Sequence, residues 1–383
     1  MRTGLLAIAG ILFLLPAAGQ HGKYMLNAST PEGQLLQKAG QESDEAKRLS
    51  LYEEFLTKYP KHEGAVHAWA HAVPLMLKAK MFDKVITGTE AVLAAEPDNS
   101  VIAYDALQAC EQKNDVPCII SWSNRTIDAA KKKLASKKPD DEDDAAAWAH
   151  EVDFAKQVIA RCEYSFYATA LKSSDPRNTI ALYEALEKVN PESEYIGQTG
   201  GRYFIALLQL KEAAQAQAFA EKAADKNRAN ADMLLFIADA NLTTAKNFDK
   251  AIAYSEKLTS MLPSEAAPAG LSPADWEIRK KNTMGRAYWI AGTAYAEKKD
   301  WPACEKSMRA ALPLLEDNPA GKELLPGAYF YLGFANYTFA KSSAKPDAAR
   351  TAEARKYFTA CAALKSPFQV VAQKNLAAMA AGK

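Results

Sequence analysis

The chain has 383 residues, 49% hydrophobic and 24% charged, a balance that excludes disorder as its overall state. Its 47 Lys and Arg nearly cancel its 46 Asp and Glu, leaving no global field to hold a phosphate backbone, so no nucleic-acid partner is expected. With 18 Gly and 18 Pro against abundant Ala, Leu, Lys and Glu, the composition favours helix over strand.

In chain order, the first feature is a targeting pattern. Arg2 gives a positive start, Leu5 to Leu15 is unbroken and apolar, and Ala17-Ala18-Gly19 follows Pro16 with small residues suited to cleavage. The run is shorter than the about 20 apolar residues that span a bilayer. Residues 1–19 are therefore expected to be a signal peptide, and the mature chain to be periplasmic or secreted with no transmembrane segment. Retention of the peptide as an anchor is the alternative. No Cys follows the run, so a lipid anchor is not supported there. Residues 20–34 are expected to form a flexible segment.

From residue 35 onward the apolar residues recur at helical spacing. The segment from Trp69 to Pro97 aligns without gaps with that from Leu235 to Pro263, and both carry Phe-Asp-Lys at one offset, at Phe82 and Phe248. Each ends in a Pro that stops its second helix. Further on, Tyr288-x2-Ala291-Gly292-x2-Tyr295 is followed by Cys304, Met308 and Ala311. Tyr329-x2-Leu332-Gly333-x2-Asn336 is followed by Ala354-x3-Phe358.

These motifs resemble the tetratricopeptide repeat, whose signature is W-x2-L-G-x2-Y, then A-x3-F, then P. Weaker units fit Ile102 to Ala130, Glu163 to Pro191 and Gly200 to Ala223. Ser50 to Pro60 reads as the second helix of an opening unit and Phe368 to Ala381 as a closing cap, about seven units in all. The resemblance implies an all-α, right-handed superhelical solenoid of antiparallel helix hairpins. Gly292, Gly333 and Ala251 are expected where the two helices of a hairpin approach closely. The repeats divide into residues 35–135 and 145–367, with a charged loop at 136–144 and a capping helix and tail at 368–383.

Within that loop, Lys131 to Lys138 is expected to close one helix and Asp140 to Asp144 to open the next, each charge opposing the helix dipole. The helix that follows, from about Asp144 to Leu171, is longer than an ordinary repeat helix. Ser264 to Ser272 reads as a loop, after which Ser272, Pro273 and Asp275 make a helix start. A further loop is expected around Lys345-Pro346-Asp347.

No catalytic residues, cofactor or metal site are expected. His67 and His71 share a helix face, but the H-E-x-x-H order and a further ligand are missing. Gly197 to Gly201 lacks the Gly-Lys-Ser/Thr ending of a phosphate loop and is read as helix packing. Cys304 and Cys361 fall on inward positions, whereas Cys110 and Cys118 flank one hairpin turn, where an oxidising compartment would allow a disulfide.

The first helix of each unit lines the concave side of such a solenoid. That register assigns Phe236, Arg286, Trp289, Thr293, Phe330, Phe334 and Tyr337 to a partner-binding groove, with about half of the aromatics expected in the core. Tetratricopeptide domains that clamp terminal carboxylates use Lys and Asn on this face. Trp289 and Thr293 stand in such places here, so that function is not implied. The expectation is an exported, non-catalytic scaffold or adaptor for a protein or peptide of unspecified identity, with oligomeric state open. The alternatives are a receptor for a carbohydrate or lipid and a metal-dependent factor using His67 and His71.

Overall fold

The computed structural model describes residues 27–381 except 246, 269, 343, 344 and 346. The expected signal peptide at 1–19, part of the 20–34 segment and Pro346 of the last loop lie outside the described residues. Among the described residues there are helices and no strands. The chain divides into two compact units, the first ending at Ala206 and the second beginning at Leu207.

Unit 1 contains α1 (Pro31–Gln41), α2 (Glu45–Lys58), α3 (Ala65–Lys78), α4 (Phe82–Ala95), α5 (Ser100–Lys113), α6 (Val116–Ala135), α7 (Glu142–Lys172) and α8 (Pro176–Val189). α9 (Glu194–Gln209) begins in it and runs across the boundary. The helices pair as successive hairpins, and first helices stack on one another, α3 on α5 and α5 on α7. Side-chain pairs fix the direction of the stack. Tyr104 meets Phe154, and one heptad further along both helices Glu111 meets Arg161, so α5 and α7 run parallel.

Unit 2 contains α10 (Ala213–Asp225), α11 (Ala231–Thr243), α12 (Phe248–Met261), α13 (Pro273–Glu297), α14 (Trp301–Glu316), α15 (Leu325–Ser342), α16 (Ala348–Ala362) and α17 (Gln369–Ala380). α11/α12, α13/α14 and α15/α16 are hairpins whose first helices pack on one another, and α17 closes the stack against α16. Here too the first helices are parallel, because Asp232 pairs with Arg279 and, a heptad on, Asp239 with Arg286.

Local chemistry accounts for where these helices begin and end. Side chains of Asp44, Asn99, Asp115, Asp141, Asp175, Asn230, Asn247, Ser272, Asp300 and Asp347 accept backbone N–H bonds at helix starts. The Ser272 start is reciprocal, since its hydroxyl accepts from Asp275 N at 3.1 Å and donates to the Asp275 carboxylate at 2.6 Å. In the charged stretch, α6 ends at Ala135 after Lys132 and Lys133, and α7 starts behind Asp141, two residues earlier than the charge pattern predicts. That stretch is tied down: Lys133 bridges Asp98 and Glu151, and Trp148 Nε1 donates to Ser136 Oγ at 2.8 Å.

A recurring turn joins the two helices of a hairpin. Lys80, Asn114, Lys211 and Lys299 each sit at positive φ two residues before the second helix. The residue after each donates to a carbonyl five residues back, as in Met81 N to Met76 O and Asp300 N to Tyr295 O, both 2.9 Å. Lys80 and Asn114 stand one repeat length apart, about 34 residues in the tetratricopeptide pattern.

The small residues do the work expected of them inside the hairpins. A Cβ at Gly292 would lie 2.9 Å from Met308, and one at Gly333 would lie 2.7 Å from Phe358. These approaches bury Met308 and Phe358 completely, each worth about 2–3 kcal/mol of apolar transfer. Ala251, Cys304 and Cys361 are fully buried on the second helices. Gly197 is different: nothing approaches its Cβ position, so packing does not explain it, and the whole Gly197 to Gly201 stretch is helical within α9.

Candidate functional site

In unit 2 the predicted groove residues fall on the three stacked first helices: Phe236 on α11, Arg286, Trp289 and Thr293 on α13, and Phe330, Phe334 and Tyr337 on α15. Their surroundings differ. Arg286 is exposed and pairs with Asp239 at 3.2 Å, and with the Asp232–Arg279 pair it forms a charge ladder across α11 and α13. Phe236 is half-buried beside that ladder.

Trp289 packs against the clusters on both sides of α13. Gly327 of α15 admits the indole, since a Cβ there would lie 3.2 Å from Trp289 Nε1. Among the described residues Trp289 Nε1 and Thr293 Oγ1 are buried without a hydrogen bond. Thr293 is only 8% exposed, so its side chain belongs to the helix interface. Phe330 lies between Phe334, Phe358 and Phe368, with the Phe368 ring centroid 5.2 Å away, and Phe334 packs on Trp301 at 4.9 Å. Phe330, Phe334 and Tyr337 all pack against the cluster of Phe358, Cys361 and Ala372. Arg286 is the exposed member of this row, and Phe236, Trp289, Phe330, Phe334 and Tyr337 are half-buried.

Unit 1 carries a second surface of the same kind, which the sequence reading leaves out. Counting back from Pro191 gives Arg161 and Tyr164 of α7 the repeat positions that Arg286 and Trp289 hold in α13, so the signal was present. The Arg161 guanidinium lies 5.8 Å from the Tyr104 ring centre and 5.6 Å from that of Tyr164. It donates to Glu111 at 2.8 Å, and Ser165 Oγ donates to the other oxygen of that carboxylate at 2.5 Å. Tyr164 is 42% exposed and meets Tyr167 and Tyr195, which stack on each other at 4.9 Å.

His67 and His71 pack edge to face at 4.4 Å, and His71 stacks on Tyr52. Among the described residues no group of three or more His, Cys, Asp or Glu could hold a metal ion. Cys110 and Cys118 are joined across the α5/α6 turn, with Cα atoms 5.4 Å apart. Burial pushes the thiols of Cys304, to about 12, and Cys361, to about 11, far from reactive values, and it raises that of Cys162 as well.

Two buried carboxyls contrast. Asp105 of α5 is 2% exposed, among the described residues accepts one long hydrogen bond, from Gln108 Nε2 at 3.4 Å, and is pushed by burial up to about 7. Glu305 of α14 is 9% exposed. Burial works to raise it, but hydrogen bonds from Arg350 at 2.5 Å and Arg309 at 2.8 Å outweigh burial and hold it below the usual carboxylate range. Arg350 also donates to the buried Asn336 at 2.7 Å, and Arg309 to Tyr357 OH and Glu353.

Among the described residues no helix is long and apolar enough to cross a membrane. No protein-family profile matches the chain, and no curated protein matches it. Solved structures do. The tetratricopeptide domain of P58(IPK) is 11% identical, with 80% of this chain and 99% of that one covered and a TM-score of 0.22. Yeast Tom70 is 12% identical over 92% and 96%, with a TM-score of 0.22. The Naa15/Naa10 complex bound to HypK-THB gives 15% identity over 87% and 66%, with a TM-score of 0.21. On its own stacked hairpins, small-residue helix contacts and recurring left-handed turn, this chain has a tetratricopeptide-type fold.

Proposed function

We propose that the chain is an exported, non-catalytic scaffold or adaptor that holds a partner protein or peptide along the first-helix surfaces of its hairpins. The observation that carries this reading is the row of parallel first helices in unit 2. It gathers Phe236, Arg286 and Trp289 from sequence-distant repeats, with Arg286 exposed in the centre. Aromatic residues and Arg are the types that dominate binding energy at protein interfaces. Export is supported by the apolar run from Leu5 to Leu15 and by the Cys110–Cys118 pair, which suits an oxidising compartment.

A pulldown from the native envelope or secreted fraction tests this, comparing wild type with Arg286→Glu/Phe236→Ala. Both substitutions lie outside the fully buried core, so an unchanged melting curve is expected and serves as the folding control. A polypeptide captured by wild type and lost from the variant supports the scaffold. No specific polypeptide in either sample would overturn it in favour of a small ligand.

A further inference from the structure

The tyrosine surface of unit 1 has a chemistry distinct from the ladder of unit 2, and it deepens the scaffold reading on which it rests. Tyr164 and Tyr167 on α7 and Tyr195 on α9 form one contiguous patch, with ring centroids 4.9–6.0 Å apart. Glu163 and Glu194 flank it, one residue before Tyr164 and Tyr195. Glu194 is exposed, and among the described residues Glu163 accepts from a neutral donor, Asn190 Nδ2 at 3.1 Å. Both flanking carboxylates bring negative charge to the edge of the patch. Burial first, then the charges of Glu194 and Glu163, hold the Tyr195 phenol above its ordinary value.

The surface already shows what it accommodates. On its inner side the chain's own Arg161 lies over Tyr104 and Tyr164 and is neutralised by Glu111. Aromatic faces backed by carboxylates attract cations, and more strongly where water is displaced. The outer side repeats that combination, and among the described residues no cation lies over Tyr167 or Tyr195. An acidic partner would meet Glu163 and Glu194 in repulsion. A basic one would not, and its Lys or Arg stems would cover the rings.

We infer that the Tyr164–Tyr167–Tyr195 patch with Glu163 and Glu194 docks a basic segment of the partner polypeptide, taking Arg or Lys side chains against its outer face. The probe is a fluorescein-labelled peptide alternating Arg, Gly and Leu, with twins carrying Glu or Gln in place of Arg. Anisotropy titrations use the full chain as wild type, Tyr164→Ala and Glu163→Gln/Glu194→Gln. The expected result is binding of the Arg peptide alone, weakened about fivefold by Tyr164→Ala. The double Gln variant and about 1 M salt, where the screening length is about 3 Å, should weaken it too. Unchanged melting curves exclude unfolding as the cause. Equal binding of the Glu twin, no binding of the Arg peptide, or indifference to both variants would overturn the inference. If the Arg peptide fails while the pulldown partner is still captured in an Arg286-dependent way, the patch is wrong and the scaffold stands. If both fail, the scaffold falls with it.

Discussion

The two units share one hairpin design but treat a buried carboxyl in opposite ways. In unit 1, Asp105 is enclosed with one long hydrogen bond, and burial pushes it up to about 7. In unit 2, Glu305 is less deeply enclosed and sits between Arg350 and Arg309, which hold it below its ordinary value. Desolvation acts on both groups, and at Glu305 the guanidinium partners outweigh it. A hairpin stack therefore tolerates a buried acid in either charge state, at opposite cost as pH changes.

The signs follow from proton counting. Unfolded Asp ionises near 3.9, whereas folded Asp105 holds its proton to about 7. Its favourable contribution is complete below about 4 and is lost as pH rises from there to about 7. Glu305 runs the other way. Its contribution is complete above the unfolded Glu value of about 4.3 and is lost as pH falls through the lower folded value. Acidification from neutral should first strengthen unit 1 and only later weaken unit 2.

The largest expected effect comes from removing the enclosed charge. Asp105→Asn should stabilise unit 1 at neutral pH by on the order of 3–4 kcal/mol and abolish its rise in stability between about pH 7 and 4. Hydrogen exchange read helix by helix across the pH range would show both, and an unchanged slope would mean that Asp105 ionises normally. Next is the covalent difference between the units. Cys110→Ser/Cys118→Ser should cost about 2–3 kcal/mol under oxidising conditions and little under reducing ones. A loss independent of reductant would point to packing at the turn instead.

Glu305→Gln leaves Arg350 without its carboxylate and Arg309 with the Glu353 carboxylate. Because both Arg heads reach solvent, the expected loss is about 2 kcal/mol, confined to α14–α16 in a denaturant series. Equal loss in unit 1 would break the comparison. The smallest effect should come from the turns. Lys299 holds a left-handed conformation at φ 63°, so Lys299→Gly should stabilise unit 2 by about 0.5 kcal/mol once the glycine's extra chain entropy is subtracted.

Much of this arrangement was legible because it rests on local rules. Helix starts follow Asp, Asn and Ser, and Gly292 and Gly333 mark close helix approaches. The α7 helix runs the length that its charge flanks imply. What escaped depends on what lies across a helix. The contact of Phe330 with Phe368 depends on where the closing helix lies, and the enclosure of Asp105 depends on the helices packed around α5. The tyrosine patch needs α7 and the start of α9 side by side, which no single repeat window contains.

The central claim is that first-helix surfaces hold a polypeptide, and site-specific photo-crosslinking tests it most directly. Benzoylphenylalanine would replace Arg286 on α13 or, as the control, the exposed Thr359 on the second helix α16, followed by irradiation in the native fraction. The scaffold account predicts a discrete polypeptide adduct at 286 and none at 359. Adducts of equal yield at both positions, or none at 286, would contradict it.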